Sequence, residues 1–182
     1  MGKTILVLGG SPRRRGNTDR LADEFIRGAQ KAGHRVEKIA LRDCEVHGCL
    51  GCGACRRNGG TCVQKDDMQG IYEKWLAADA VVLASPVYFY TWTSQMKAAL
   101  DRTFAIEQKV KDTAFYLISA GAAPSEDYMK PMLDDFRSYI GCFRAGGNGE
   151  GGYVFGLGAG APGDVDGSDA AQRAYRMGLE MA

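Results

Sequence analysis

Four cysteines, Cys49, Cys52, Cys55 and Cys62, crowd into one glycine-rich stretch with the spacing C-x2-C-x2-C-x6-C. Packing gives a domain no reason to gather thiols in this way. Thiolates this close share a metal, share a disulfide or carry out redox chemistry. Zinc sites commonly use two separated cysteine pairs, more than about ten residues apart. Here the first three cysteines follow each other at x2 intervals, as in iron–sulfur runs, and no second run is present. One [4Fe–4S] cluster closed by Cys62 is therefore a candidate, with free or oxidised thiols as the alternative. Gly51, Gly53, Gly59 and Gly60 would let the loop wrap and aim amides at sulfur. Cys44 and Cys142 lie outside the spacing and read as ordinary thiols, Cys142 as a buried one.

A second stretch with chemical potential is Gly9-Gly10-Ser11-Pro12-Arg13-Arg14-Arg15-Gly16-Asn17-Thr18. It joins an apolar run to a helical pattern, and a helix N-terminus is an anion site. Ser11, Asn17 and Thr18 offer neutral donors, Arg13 a charge, and Gly16 a close backbone. A capped turn needs one such residue, whereas a phosphate dianion would use the whole set. The stretch lacks G-x-G-x-x-G and the Gly-Lys-Ser/Thr of a nucleoside-triphosphate loop, which argues against those ligands. Ser85-Pro86-Val87-Tyr88-Phe89-Tyr90-Thr91-Trp92 places four aromatics after another apolar run, a suitable wall for a flat heteroaromatic ring. Ser119-Ala120-Gly121-Ala122-Ala123-Pro124 is built of small residues that let amides approach a ligand's polar edge.

These stretches must be held by regular elements. Residues 4–9 read as a buried strand, and 18–32 as a helix with apolar positions Leu21, Ala22, Phe25, Ile26 and Ala29, stopped by Gly33. Val36, Ile39 and Leu41 mark a second strand. After the cysteine loop, spanning 44–65, Asp66 and Asp67 begin a helix at its positive end. Strands follow at 80–84, 113–119 and 153–155. Helices follow at 94–107, 125–140 and 170–181. Strands alternating with helices predict a parallel sheet covered on both faces, and five strands favour the flavodoxin-like order: an α/β three-layer sandwich in one domain over 1–182. Its ligands sit beyond the carboxyl ends of the strands, where the three loops lie.

The chain has 182 residues, 45% hydrophobic and 25% charged, which suits one globular domain with a full core. A net charge of +1 offers no field for nucleic acid or an acidic membrane. No apolar run approaches the roughly 20 residues of a spanning helix, and no leader pattern precedes Lys3. A cytoplasmic location is expected, where thiols or metal ligands outnumber disulfides. His34 reads as an exposed strand start and His47 as a surface residue beside the cysteine loop. Two histidines so placed argue against a Ser-His-Asp hydrolase. Arg56, Arg57 and Lys65 could ring a ligand entrance.

With these stretches together, the chain resembles the NADPH-dependent FMN reductase family, and within it the iron–sulfur flavoproteins. The resemblance rests on Gly10-Ser11-Pro12-Arg13 with Gly16-Asn17-Thr18, the cysteine run, Lys65-Asp66-Asp67-Met68, Ser85-Pro86-Val87-Tyr88, Gln95-Met96-Lys97, Asp101-Arg102 and Pro162-Gly163-Asp164. It implies a flavodoxin-like fold, FMN, redox turnover with NAD(P)H as donor, and a homodimer or homotetramer. It further implies that Ser11, Arg13, Asn17 and Thr18 hold the FMN phosphate. Pro86, Val87, Tyr88 and Phe89 would flank the isoalloxazine, with Ser119 and Gly121 on its other side. Three functions remain open at this point. One is an enzyme reducing flavin, quinone or another small acceptor. The second is a non-enzymatic carrier served by ferredoxin-like partners. The third, a flavin-free zinc module, is disfavoured by the phosphate and aromatic loops.

Overall fold

The computed structural model describes residues 2–143 and 146–181. Five strands, β1 (Thr4–Gly9), β2 (Arg35–Ala40), β3 (Ala80–Pro86), β4 (Ala114–Ala120) and β5 (Gly149–Gly156), form one sheet in the order β2-β1-β3-β4-β5. Every neighbouring pair is parallel. The fold is therefore the expected α/β, flavodoxin-like sheet with helices on both faces. β1, β3 and β4 are apolar almost throughout because both of their faces are covered.

Side-chain alternation divides the core. Ile5, Val7, Val82, Ala84 and Ile118 point toward α1 (Asn17–Lys31) and α6 (Asp169–Leu179). Leu6, Leu8, Val81, Leu83 and Phe115 point the other way, toward α3 (Met68–Leu76), α4 (Ser94–Arg102) and α5 (Lys130–Ile140). A short helix, α2 (Ala54–Arg57), lies inside the cysteine loop. The first helix ends as predicted: Gly33 has φ +87°, and the His34 amide bonds back to Ala29 O at 3.0 Å. Among the described residues no helix is long and apolar enough to cross a membrane.

Two glycines near the C-terminal ends of α1 and α6 explain how these helices pack. A Cβ on Gly28 would lie 2.0 Å from Tyr175 O, and one on Gly178 2.1 Å from Phe25 O. The two backbones touch, and only glycine permits it. The predicted helix over 94–107 ends at Arg102 and tightens into a 3₁₀ turn, Thr103–Ala105. The one over 125–140 begins as a 3₁₀ turn, Glu126–Met129, before α5.

Candidate functional site

The loop between β1 and α1 folds around Ser11. Its hydroxyl accepts from the Arg13 amide at 3.3 Å and donates to Arg13 O at 3.2 Å. A Cβ on Gly16 would meet Ser11 Oγ at 3.2 Å and Arg13 Cβ at 3.3 Å, so a side chain there would make the turn give by a few tenths of an ångström. The first-turn amides of α1 have no partners within the helix and face outward at its positive end. Thr18 lines the cleft at this point, yet its hydroxyl is buried without a hydrogen-bond partner. A buried hydroxyl left unpaired is costly, and an anionic ligand in the cleft would supply the missing acceptor. Arg13 is exposed and lines the same cleft.

Three residues of this site escaped the sequence reading. Asp19, buried in the first turn of α1, pairs with Arg42 at 2.8 Å and Lys38 at 3.1 Å. Its carboxylate also accepts from the Arg15 amide, and Arg42 reaches Ser11 O at 3.3 Å. Two cations thus neutralise the negative charge buried beside this loop. The only sequence signal was an acidic residue in a first turn, which resembles ordinary dipole compensation.

The cleft, about 190 Å³, runs from Ser11, Arg13, Gly16, Asn17 and Thr18 past Pro86, Val87 and Tyr88 to Gly121, Ala159 and Gly160. Nine of the eleven expected cofactor residues therefore line it, and Phe89 and Ser119 do not. Asn17 spends its amide on the loop after β5: Nδ2 donates to Ala161 O at 2.8 Å, and Oδ1 accepts from the Gly163 amide at 2.9 Å. Gly121 donates its amide to Gly156 O, so it offers the ligand a bare Cα face. Ser119 is fully buried and does not line the cleft; its hydroxyl donates to Ser85 O at 2.6 Å across β3 and β4. That bond belongs to a buried lattice beneath the cleft, in which the Thr93 hydroxyl donates to Gly10 O at 2.7 Å and caps α4.

The aromatic loop divides. Trp92 turns inward and joins the core with α3 and α4, so it cannot be part of a ligand wall. Tyr88 and Thr91 exchange both backbone bonds across a two-residue turn whose central residues, Phe89 and Tyr90, have φ +49° and +69°. Such turns normally take Asn-Gly, so two aromatics there are strained. Phe89 is 99% exposed and Tyr90 56%.

The cysteine loop forms a second site. Cys49, Cys52, Cys55 and Cys62 all line one cavity of about 20 Å³, with Arg102 and Phe104 among its other walls. Cys49 and Cys52 are exposed, whereas Cys55 and Cys62 pack against the core. Gly51, Gly53, Gly59 and Gly60 all have positive φ, between +64° and +84°, as a wrapping loop requires. Among the described residues no three His, Cys, Asp or Glu side chains stand where they could hold a single metal ion. A four-iron cluster spreads its thiolates around a cube, so its ligands need not converge on one point. The all-thiol donor set suits iron–sulfur chemistry, and a cluster would have to push the loop outward from so small a cavity.

Other expectations need correction. Cys142 is exposed on the end of α5, its Sγ 3.5 Å from Ser138 O. His34 is half-buried, because its Nδ1 accepts from the Lys3 amide at 3.0 Å. Arg56, Arg57 and Lys65 do not line the cleft. Arg56 stacks over Phe104 at 4.4 Å and pairs with Glu107 at 3.5 Å, beside a cavity of about 420 Å³ next to Cys55. His47 is exposed as expected, with its Nε2 3.1 Å from Glu45. Asp66 does more than favour a helix start. Fully buried, it forms a two-pronged ion pair with Arg102, Oδ2 to Nη1 at 2.7 Å and Oδ1 to Nη2 at 3.0 Å.

A 2-1-3-4-5 parallel sheet with a cleft between the N-terminus of α1 and the ends of β3 and β4 defines a flavodoxin-like protein. The chain belongs to the NADPH-dependent FMN reductase family, whose profile matches residues 4–136. Among its relatives is an iron-sulfur flavoprotein of Archaeoglobus fulgidus, 33% identical over 187 residues, covering 99% of this chain and 79% of that one. Another, from Methanocaldococcus jannaschii, is 30% identical over 185 residues, covering 98% of this chain and 91% of its own. The fold also matches the NAD(P)H:quinone oxidoreductase from Methanothermobacter marburgensis, with a TM-score of 0.76 at 17% identity and full coverage of both chains.

Proposed function

We propose that the protein is an FMN-dependent oxidoreductase of the iron–sulfur flavoprotein type, drawing electrons from NADH or NADPH. The observation that carries the reading is the partnerless buried hydroxyl of Thr18 at the positive end of α1, in a chain of an FMN reductase family. Thr18, the first-turn amides and Arg13 would bind the phosphate. Ser11, Gly16, Asp19 and Arg42 would hold the loop's shape, and Asn17 the far wall. Pro86, Val87 and Tyr88 would lie against the isoalloxazine, with Gly121 opposite and Phe89 at the mouth. Bound FMN joins a two-electron donor to one-electron acceptors. The protein's part is to position the ring and keep water from it.

Cys49, Cys52, Cys55 and Cys62 would hold one [4Fe–4S] cluster. Iron and sulfide analysis of protein prepared without oxygen tests this, with Cys52→Ala beside it. About four irons per chain, lost in the variant, is the expected result. Flavin without iron would leave an FMN reductase with free thiols.

A second reading, a carrier fed by ferredoxin-like proteins, is favoured by one feature: Cys49, Leu50 and Cys52 are all exposed, putting the loop within a protein partner's reach. Stopped-flow mixing separates the two. Flavin bleaching by NADPH or NADH faster than by reduced ferredoxin supports the enzyme; the reverse supports the carrier. The exposed Tyr88-Phe89-Tyr90 tip further supports a homodimer or homotetramer in which this edge of the cleft is covered by a second copy.

A further inference from the structure

Two motifs lie 36 residues apart in sequence and meet beneath the cysteine loop, Asp66 after it and Arg102 at the end of α4. The side chains of Arg102 and Asp66 are 1% and 0% exposed. Asp66 also accepts from the His47 amide at 3.0 Å, and Arg102 donates to His47 O at 2.9 Å. Next to them Glu45 and Asp67 bond reciprocally, the Glu45 amide to Asp67 Oδ2 at 2.7 Å and the Asp67 amide to Glu45 O at 3.0 Å. Both ends of the 48–65 loop are thus fastened to one guanidinium. Burial by itself would lower the Arg102 pKa, but the bond to Asp66, then Tyr72 and Cys62, raise it, so the cation is permanent. Its Nε is buried without a partner, and Arg102 lines the cavity shared by the four cysteines. A buried ion pair is a poor source of stability, which leaves its placement to be explained.

We infer that Arg102 is the positioning residue of the cysteine loop, with two separable roles. Its fork on Asp66 and His47 O latches the loop's ends. Its buried charge, with one N–H still free, favours the more negative, reduced state of the redox group the thiolates hold. The second role rests on the cluster reading above; the latch does not. A lysine keeps the charge but not the fork.

The test compares wild-type protein with Arg102→Lys, Arg102→Gln and Asp66→Asn, all prepared without oxygen, with FMN content as the measure of an intact fold. Midpoint potential of the iron centre and hydrogen exchange of residues 48–65 are read. In Arg102→Gln the potential should become more negative by at least tenfold in the equilibrium constant, about 59 mV for one electron. Arg102→Lys should stay near wild type, and Asp66→Asn should shift in the positive direction. Loop protection should fall in both Arg102 variants. Equal potentials in wild type and Arg102→Gln, or like shifts in Lys and Gln, overturn the charge role. An Arg102→Gln protein that keeps FMN but no longer takes iron, while Arg102→Lys does, supports it. If wild type itself takes no iron, the cluster reading and the charge role both fall, and exchange in the iron-free FMN protein decides the latch. Unchanged protection in Arg102→Gln and Arg102→Lys overturns it.

Discussion

Asn17 and Gly163, 146 positions apart, are joined by a 2.9 Å hydrogen bond from the Gly163 amide to Asn17 Oδ1. With the bond from Nδ2 to Ala161 O, the side chain staples the loop after β5 to the start of α1. Asn17 therefore holds one wall of the cleft together. Asn17→Ala should leave the phosphate contacts in place but loosen residues 157–166. Two neutral bonds, each worth about 0.5–1.5 kcal/mol, set an upper range for the loss of FMN affinity of about 5- to 150-fold. Fluorescence titration of FMN measures it, and hydrogen exchange should show the loss of protection in the 157–166 segment even without ligand.

Thr18 should behave in the opposite manner in the ligand-free protein. Its hydroxyl is buried and unpartnered, so Thr18→Val removes an unpaired polar group of nearly the same shape. The apo variant is expected to melt at the wild-type temperature or above it. FMN affinity should fall about tenfold or more, because a bond to a charged acceptor is worth about 1.5–3 kcal/mol. Calorimetric melting with and without FMN shows both effects in one experiment. A ligand-free destabilisation would mean that the hydroxyl has a partner in the fold.

The sheet was legible because its strands are continuous apolar runs separated by helical patterns. The glycines of β5 were not: Gly149 and Gly152 pair with β4 without any periodicity to mark them, and Gly151 bulges between them, where a Cβ would lie 2.2 Å from the Tyr116 ring. Glycine there answers to a neighbour's aromatic ring, which a local pattern cannot reveal. Around the cleft, residue types identified the loops that line it but not the direction each side chain takes. Ser119 lies within β4, where its hydroxyl bonds across to Ser85 O, while Gly121, one residue past the end of the strand, reaches the cleft. Trp92 was misread because a tryptophan in a loop looks available until the core behind it is known. Asp66 and Arg102 were each noted in motifs, but nothing in sequence showed that they meet.

Alkaline stability should report on Tyr72, whose hydroxyl donates to Arg102 O at 2.9 Å. Burial pushes its pKa from the ordinary 10.0 up to about 12, against the opposing pull of the Arg102 charge. The folded state thus prefers the neutral phenol more strongly than the unfolded chain does. That contribution is complete below pH 10 and is lost as pH rises from 10 to 12, on the order of 2–3 kcal/mol. Burial raises Tyr116 and Tyr139 in the same direction and steepens the same limb. Melting temperature against pH should therefore fall above pH 10 in wild type and less steeply in Tyr72→Phe. Parallel curves for the two proteins would assign the alkaline loss to the other tyrosines.

Phe89 offers a test that separates function from folding. Its side chain is 99% exposed, and its φ of +49° places a bulky residue in the left-handed region. No packing is lost by removing the ring, and strain of about 1–2 kcal/mol is relieved if glycine takes its place. Against that gain stands the greater entropy glycine has in the unfolded chain, about 0.4–1 kcal/mol. Phe89→Gly is therefore expected to keep the wild-type melting temperature or exceed it slightly. If the ring serves only the fold, nothing else should change. If the turn holds it out to cover a flavin or meet a second copy, self-association or FMN affinity should weaken several-fold. Light scattering at micromolar concentration and FMN titration on the same preparation distinguish these outcomes. Unchanged assembly and unchanged FMN affinity would remove the aromatic tip from the site.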